Sequence, residues 1–234
     1  MEAVSQGKKA TFESVRLRED IAPIERENGE PQEDDESEPL WIDFDAGPPL
    51  EDDGTKHDGP NTYLISPISE RDLFSDKNIN CTAVLAIGRG KITGKEIAVI
   101  SHQNPEYFVD GEPEKTERFT TDLKARLNDL KQQSEEATVE VILLGGNYDP
   151  KDPGSEKSVQ YRKSIDLLAK VVQETLGFDP NVLTGPNLRP GGTDIHVATQ
   201  ARKIFIERAE QPPASEEAYP ARMLAEEASK WSEV

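Results

Sequence analysis

The residues of this 234-residue chain best placed to do chemistry are Cys81, its only cysteine, and His102. Cys81 opens the run Cys-Thr-Ala-Val-Leu-Ala-Ile, and His102 closes the run Glu-Ile-Ala-Val-Ile-Ser-His. Between them lies a turn punctuated by Gly88, Gly90 and Gly94. Both runs are apolar, β-branched and of strand length, so the stretch reads as a hairpin. Pairing about the middle of the loop sets Ile87 against Glu96, Leu85 against Ala98, Ala83 against Ile100 and Cys81 against His102. Directly opposed residues share a face, with Cβ atoms roughly 5 Å apart. A slip of one residue turns His102 to the other face. An imidazole at that range can take a thiol proton, or stabilise the thiolate that acts as nucleophile. The competing reading is structural. A lone cysteine at a strand start is commonly a small buried hydrophobe, and a lone histidine at a strand end a polar residue leaving a sheet.

The surrounding pattern has to position this pair. A first core strand is expected over residues 62–66, ended by Pro67, and a short helical turn over 69–74. Phe119, Leu123, Leu127 and Leu130 fall at helical spacing, predicting a helix over 118–133 capped by Thr120 or Thr121. A buried-type strand over 139–144 ends in Gly145-Gly146-Asn147, a tight turn needing positive φ or a backbone nest for an anion. A second helix over 157–176 carries Val159, Ile165, Leu168, Val172 and Leu176 on its apolar face, with Gly177 as cap. A short strand or connector follows at 181–186, then a closing hairpin over 194–199 and 202–208, entered through Gly191-Gly192. The order predicts an α+β or mixed α/β layered domain, a mostly antiparallel sheet with packed helices.

Charge divides the chain. Residues 1–60 hold 18 acids against 6 bases, residues 209–234 hold 6 against 2, and residues 61–208 hold 22 against 19. The middle has the balance of an ordinary globular domain, and the ends carry most of the net charge of -19. The expected organisation is an acidic, largely disordered tail over 1–59, a catalytic-type domain over 60–209 and an acidic tail over 210–234. Leu40-Trp41-Ile42-Asp43-Phe44 interrupts the first tail, as a strand docked on its own domain, as a peptide for a partner, or, in the plainest reading, as a few apolar residues in a solvated tail. Acidity on this scale repels nucleic acid and anionic membranes, which leaves a protein substrate or partner protein. With one cysteine there is no internal disulfide, and no apolar leader or stretch of about 18 apolar residues occurs, so a cytoplasmic location is expected.

Other motifs fail on spacing. The glycine-rich turn is not a phosphate loop. Arg89 stands where the first glycine belongs, Glu96 where the hydroxyl belongs, and no helix follows. Cys81, His57, His102 and His196 are not at zinc-ligand spacing. A Gly-x-Ser-x-Gly elbow is absent.

Taken in order, residues 75–208 resemble the CheD family of chemotaxis receptor glutamine deamidases. The resemblance rests on Asn80-Cys81-Thr82-Ala83-Val84 and on Ile100-Ser101-His102-Gln103-Asn104-Pro105. It continues through Leu143-Leu144-Gly145-Gly146-Asn147, Pro190-Gly191-Gly192-Thr193-Asp194-Ile195-His196-Val197 and Lys203-Ile204-Phe205-Ile206. It implies a layered α/β sandwich, a Cys81 nucleophile, a His102 base and no cofactor. A family threonine lies shortly upstream of the cysteine, and Ser75 is the nearest hydroxyl at that spacing. The family's glycine-rich approach to the cysteine is replaced here by Lys77-Asn78-Ile79-Asn80. The activity implied is a cysteine amidohydrolase that deamidates protein glutamine. The alternative is a non-catalytic interaction module of the same fold with acidic regulatory tails.

Overall fold

The computed structural model describes residues 63–75, 78, 80–109, 113–148, 151–184 and 191–210, together with short strands at 16–17 and 40–42. The remainder of the acidic segments over 1–59 and 210–234, with His57, lies outside the described residues. The strands are β1 (Arg16–Leu17), β2 (Leu40–Ile42), β3 (Tyr63–Ile65), β4 (Leu73–Ser75), β5 (Thr82–Arg89), β6 (Glu96–Gln103), β7 (Glu140–Gly145), β8 (Asn181–Thr184), β9 (Gly191–Ala198) and β10 (Lys203–Glu210). The helices are α1 (Pro105–Phe108), α2 (Pro113–Gln133) and α3 (Glu156–Leu176). The architecture is mixed α/β, with two five-stranded sheets ordered β3-β6-β5-β7-β8 and β1-β10-β9-β4-β2.

The apolar runs of β5 and β6 are continuous rather than alternating because their sheet is buried on both faces. Val84, Ala86, Val99, Val141 and Leu143 pack with Phe119, Leu123, Leu127, Leu168 and Val172 of the two long helices. Ala83, Leu85, Ile87, Ala98, Ile100, Ile142 and Leu144 pack instead with Leu73, Ile195, Val197 and Ile204 of the second sheet. The layers are thus helices, sheet and sheet. Tyr63 and Phe108 flank Phe119 in the helical layer, with ring centroids 5.1 and 4.8 Å away.

Several expectations change. The helical turn at 69–74 is instead β4, antiparallel to β9 and parallel to β2. Leu73 and Ser75 are fully buried in it, because β4 is paired on both sides and these two side chains enter the space between the sheets. Helix α2 starts earlier than its apolar periodicity, at Pro113, a residue suited to a first turn. Thr120 and Thr121 therefore lie inside the helix and cap nothing at its start. Helix α3 is held as expected by Gly177, at φ 88°, and its N-cap is Ser155, whose hydroxyl accepts from the Ser158 N–H. Gly191 and Gly192 belong to β9 rather than to a loop before it. The Leu40-Trp41-Ile42 segment docks on its own domain, pairing Leu40 with Leu73 and Ile42 with Ser75.

The hairpin register also differs. Gly90 N–H donates to the Lys95 carbonyl at 2.7 Å, and Gly94 sits at φ 68°, so the loop is Lys91–Gly94. Its centre lies one residue later than the sequence reading assumed, and the register moves by two. Leu85 now opposes Ile100, Ile87 opposes Ala98, and Arg89 opposes Glu96.

Candidate active site

The site forms where β5 begins and β6 ends. Cys81 precedes β5 and continues the side-chain parity of Ala83, Leu85 and Ile87. His102 continues the parity of Ala98 and Ile100. Both residues therefore belong to the face that meets the second sheet. The direct Cys81–His102 opposition expected from the sequence is corrected by the two-residue shift in register. Thr82 opposes Gln103, which makes Cys81 and His102 diagonal neighbours on one face rather than a facing pair. Diagonal positions are roughly 7–8 Å apart, still within reach of long side chains.

Ser75 comes from the other sheet. It is the last residue of β4, aligned with Ile195 of β9, and its buried hydroxyl lies 3.2 Å from His102 Nδ1. The structure thus joins Ser75 to His102 across the two layers. A third side chain completes the cluster. Asn78, fully buried, directs Nδ2 to the Ser75 carbonyl at 3.3 Å and to Ser75 Oγ at 3.2 Å.

Around Cys81 the backbone is tightly packed. The Gly146 N–H donates to the Cys81 carbonyl at 2.8 Å. Gly145 and Gly146 sit at φ 78° and 80°. A Cβ at Gly145 would lie 2.7 Å from the Cys81 carbonyl oxygen, and one at Gly146 would lie 2.3 Å from the Tyr161 ring. Of the two sequence readings for this turn, positive φ is the one realised, and the Gly146 N–H is committed to protein rather than to an anion. Beneath, Gln103 Nε2 donates to Thr82 Oγ1 at 3.2 Å, and Thr82 Oγ1 shares a hydrogen bond of 3.0 Å with Ser164 Oγ.

Burial pushes the Cys81 thiol up to about 12, because the thiolate would be desolvated. Of the two roles open to the imidazole, burial therefore favours taking the proton of a neutral thiol over stabilising a resting thiolate. The structure holds Cys81 as a neutral thiol in a closed site.

His196 is placed elsewhere. Its neighbours in β9, Ile195 and Val197, enter the inter-sheet core, so His196 faces the opposite side of that sheet. There it stacks on Phe205, with centroids 5.6 Å apart, and lies 3.4 Å from Asp72.

Sequence reasoning missed Asn78, Thr82, Gln103 and Ser164. Their common signal is a polar residue at a buried position: Thr82 and Gln103 end apolar strands, and Ser164 lies on the inward face of α3. Asn78 carries no periodic signal of its own. No family model matches the chain, and no curated protein matches it by sequence. Among the described residues, no helix is long and apolar enough to cross a membrane.

Proposed function

We propose that the chain is a cytoplasmic cysteine amidohydrolase of the CheD-like type, acting on the carboxamide of protein glutamine. The observation that carries this reading is the Ser75–His102 hydrogen bond, made by a buried hydroxyl and a buried imidazole on the face that Cys81 shares. Nδ1 is engaged by Ser75, so Nε2 is the nitrogen left to serve the thiol. In the reaction, the Cys81 sulfur attacks the amide carbon while its proton passes to His102. His102 returns that proton to the departing ammonia. Water, deprotonated by His102, then cleaves the thioester to release glutamate and restore the thiol. The residues required are a nucleophile, a base and an orienting hydroxyl, and the chemistry calls for no cofactor.

A second reading has its own support. A neutral, buried Cys81 and the docking of β2 beside Ser75 suit an interaction module that has kept the fold without the turnover. Its acidic tails would engage a partner protein; the net charge of -19 disfavours nucleic acid and anionic membrane in either case.

Incubation of the full chain with a glutamine-centred peptide library, followed by mass spectrometry, separates the two. The enzyme reading expects ammonia release and glutamine-to-glutamate conversion that Cys81→Ala abolishes by removing the nucleophile, a change small enough that the domain is expected to stay folded. Conversion that persists in Cys81→Ala contradicts it, and so does the absence of conversion both in the library and in glutamine-bearing folded proteins.

A further inference from the structure

We infer that Asn78 sets the tautomer of His102 through Ser75, holding the resting imidazole with its proton on Nε2. The inference deepens the amidohydrolase reading and rests on His102 being its base. It follows from donor and acceptor bookkeeping in a buried cluster. The Ser75 carbonyl can only accept, and the Asn78 amide atom 3.3 Å from it must therefore be the Nδ2 donor. This fixes which way the amide faces. The same nitrogen lies 3.2 Å from Ser75 Oγ, so the hydroxyl oxygen accepts there. Ser75 is fully buried, and among the described residues its hydroxyl has one other side-chain partner, His102 Nδ1 at 3.2 Å. The hydroxyl proton belongs on that bond. Nδ1 is then the acceptor, and the neutral ring carries its hydrogen on Nε2.

The resulting chain, Asn78 amide to Ser75 hydroxyl to His102 Nδ1, runs in one direction, and each link polarises the next. Reversing it, with Nδ1–H donating to Ser75 Oγ, would give that oxygen two donors and leave its own proton in a buried site without this acceptor. An imidazolium at His102 requires that reversal. The relay therefore opposes transfer of the Cys81 proton in the closed state. Turnover needs the Ser75 hydroxyl to rotate away so that the ring proton can move from Nε2 to Nδ1, which frees Nε2 to take the Cys81 proton. Asn78 is thus a positioning residue that keeps the site at rest, located in the segment that replaces the family's glycine-rich approach to the cysteine.

Nitrogen NMR of the full chain labelled with ring-¹⁵N histidine tests this without any substrate. The His102 signals are assigned by their loss in His102→Gln. The neutral ring is expected to show Nε2 in the protonated range and Nδ1 in the unprotonated range. Asn78→Asp supplies a carboxylate that accepts the Ser75 proton, so the pattern should invert to protonated Nδ1. Ser75→Ala removes the donor to Nδ1 while sparing Asn78, and should average the two nitrogens toward a mixture. A wild-type ring protonated on Nδ1 overturns the inference, as does a His102 spectrum indifferent to both Asn78→Asp and Ser75→Ala. Should Asn78→Asp not fold, the wild-type and Ser75→Ala spectra decide alone. Absence of deamidation would leave these spectra unaffected, so the two readings fail separately.

Discussion

Native Cys81 is expected to react with iodoacetamide about a thousandfold more slowly than the same cysteine in the urea-unfolded chain at a pH near the free thiol value. The factor comes from burial, which raises the thiol from about 9 to about 12 and so removes the thiolate that alkylation requires. The same shift makes stability depend on alkali. The folded chain keeps the Cys81 proton where the unfolded chain has lost it, so the folded state binds more protons between those values. Stability from this group is fully present below about 9 and is lost as pH rises toward about 12. The slope over that window is about 1.4 kcal/mol per pH unit for one group. Urea melts at rising pH should therefore lose stability in the wild type more steeply than in Cys81→Ala. Native alkylation as fast as in the unfolded chain, or identical alkaline slopes in the two proteins, would contradict a buried neutral thiol.

Phe119→Ala is expected to lower the unfolding free energy by about 3–5 kcal/mol, the range for removing a large aromatic from a closed core. Phe119 is fully buried on α2 and is gripped by Tyr63 of β3 and Phe108 of α1. Its loss opens a cavity where the helical layer meets the central sheet. Tyr63 cannot swing in to fill it without giving up the 2.8 Å hydrogen bond from its hydroxyl to Asp122. Denaturant melts measure the change. A loss below about 1 kcal/mol, the scale of a peripheral contact, would mean that the helices are not packed on the sheet in this way.

Much of this arrangement is legible in the sequence because the relevant forces are local or periodic. The apolar runs on either side of Gly88–Gly94 can only be buried strands, and the stripes of α2 and α3 announce their faces. Gly145-Gly146 and Gly177 sit where left-handed backbone is required. What stays hidden depends on distant parts of the chain. Leu73-Phe74-Ser75 is too short to display a period of two, and its partner strand β9 lies more than a hundred residues away. The hairpin register turned on one loop hydrogen bond, Gly90 to Lys95, which composition does not specify. Ser75 was singled out only through the family resemblance, as the nearest hydroxyl upstream of Cys81, and its meeting with His102 needed both sheets to stack. Asn78 was unreadable because its role is to satisfy a hydroxyl that itself becomes buried only after that stacking. The thiol's elevated pKa was likewise invisible, since it measures how completely the layers close over Cys81 rather than which residues are near it.

Under the proposed function, Cys81 attacks glutamine carboxamides while reacting slowly with generic alkylating reagents. The most direct measurement is labelling by a glutamine-shaped diazoketone, built into a short peptide and mapped by mass spectrometry on the full chain. The account predicts a single covalent adduct on Cys81, formed faster than iodoacetamide alkylation at the same pH, slowed in His102→Ala and blocked by excess glutamine peptide. Labelling of Cys81 no faster than by iodoacetamide, or unaltered in His102→Ala, would contradict the enzyme and leave the interaction module as the reading of this fold.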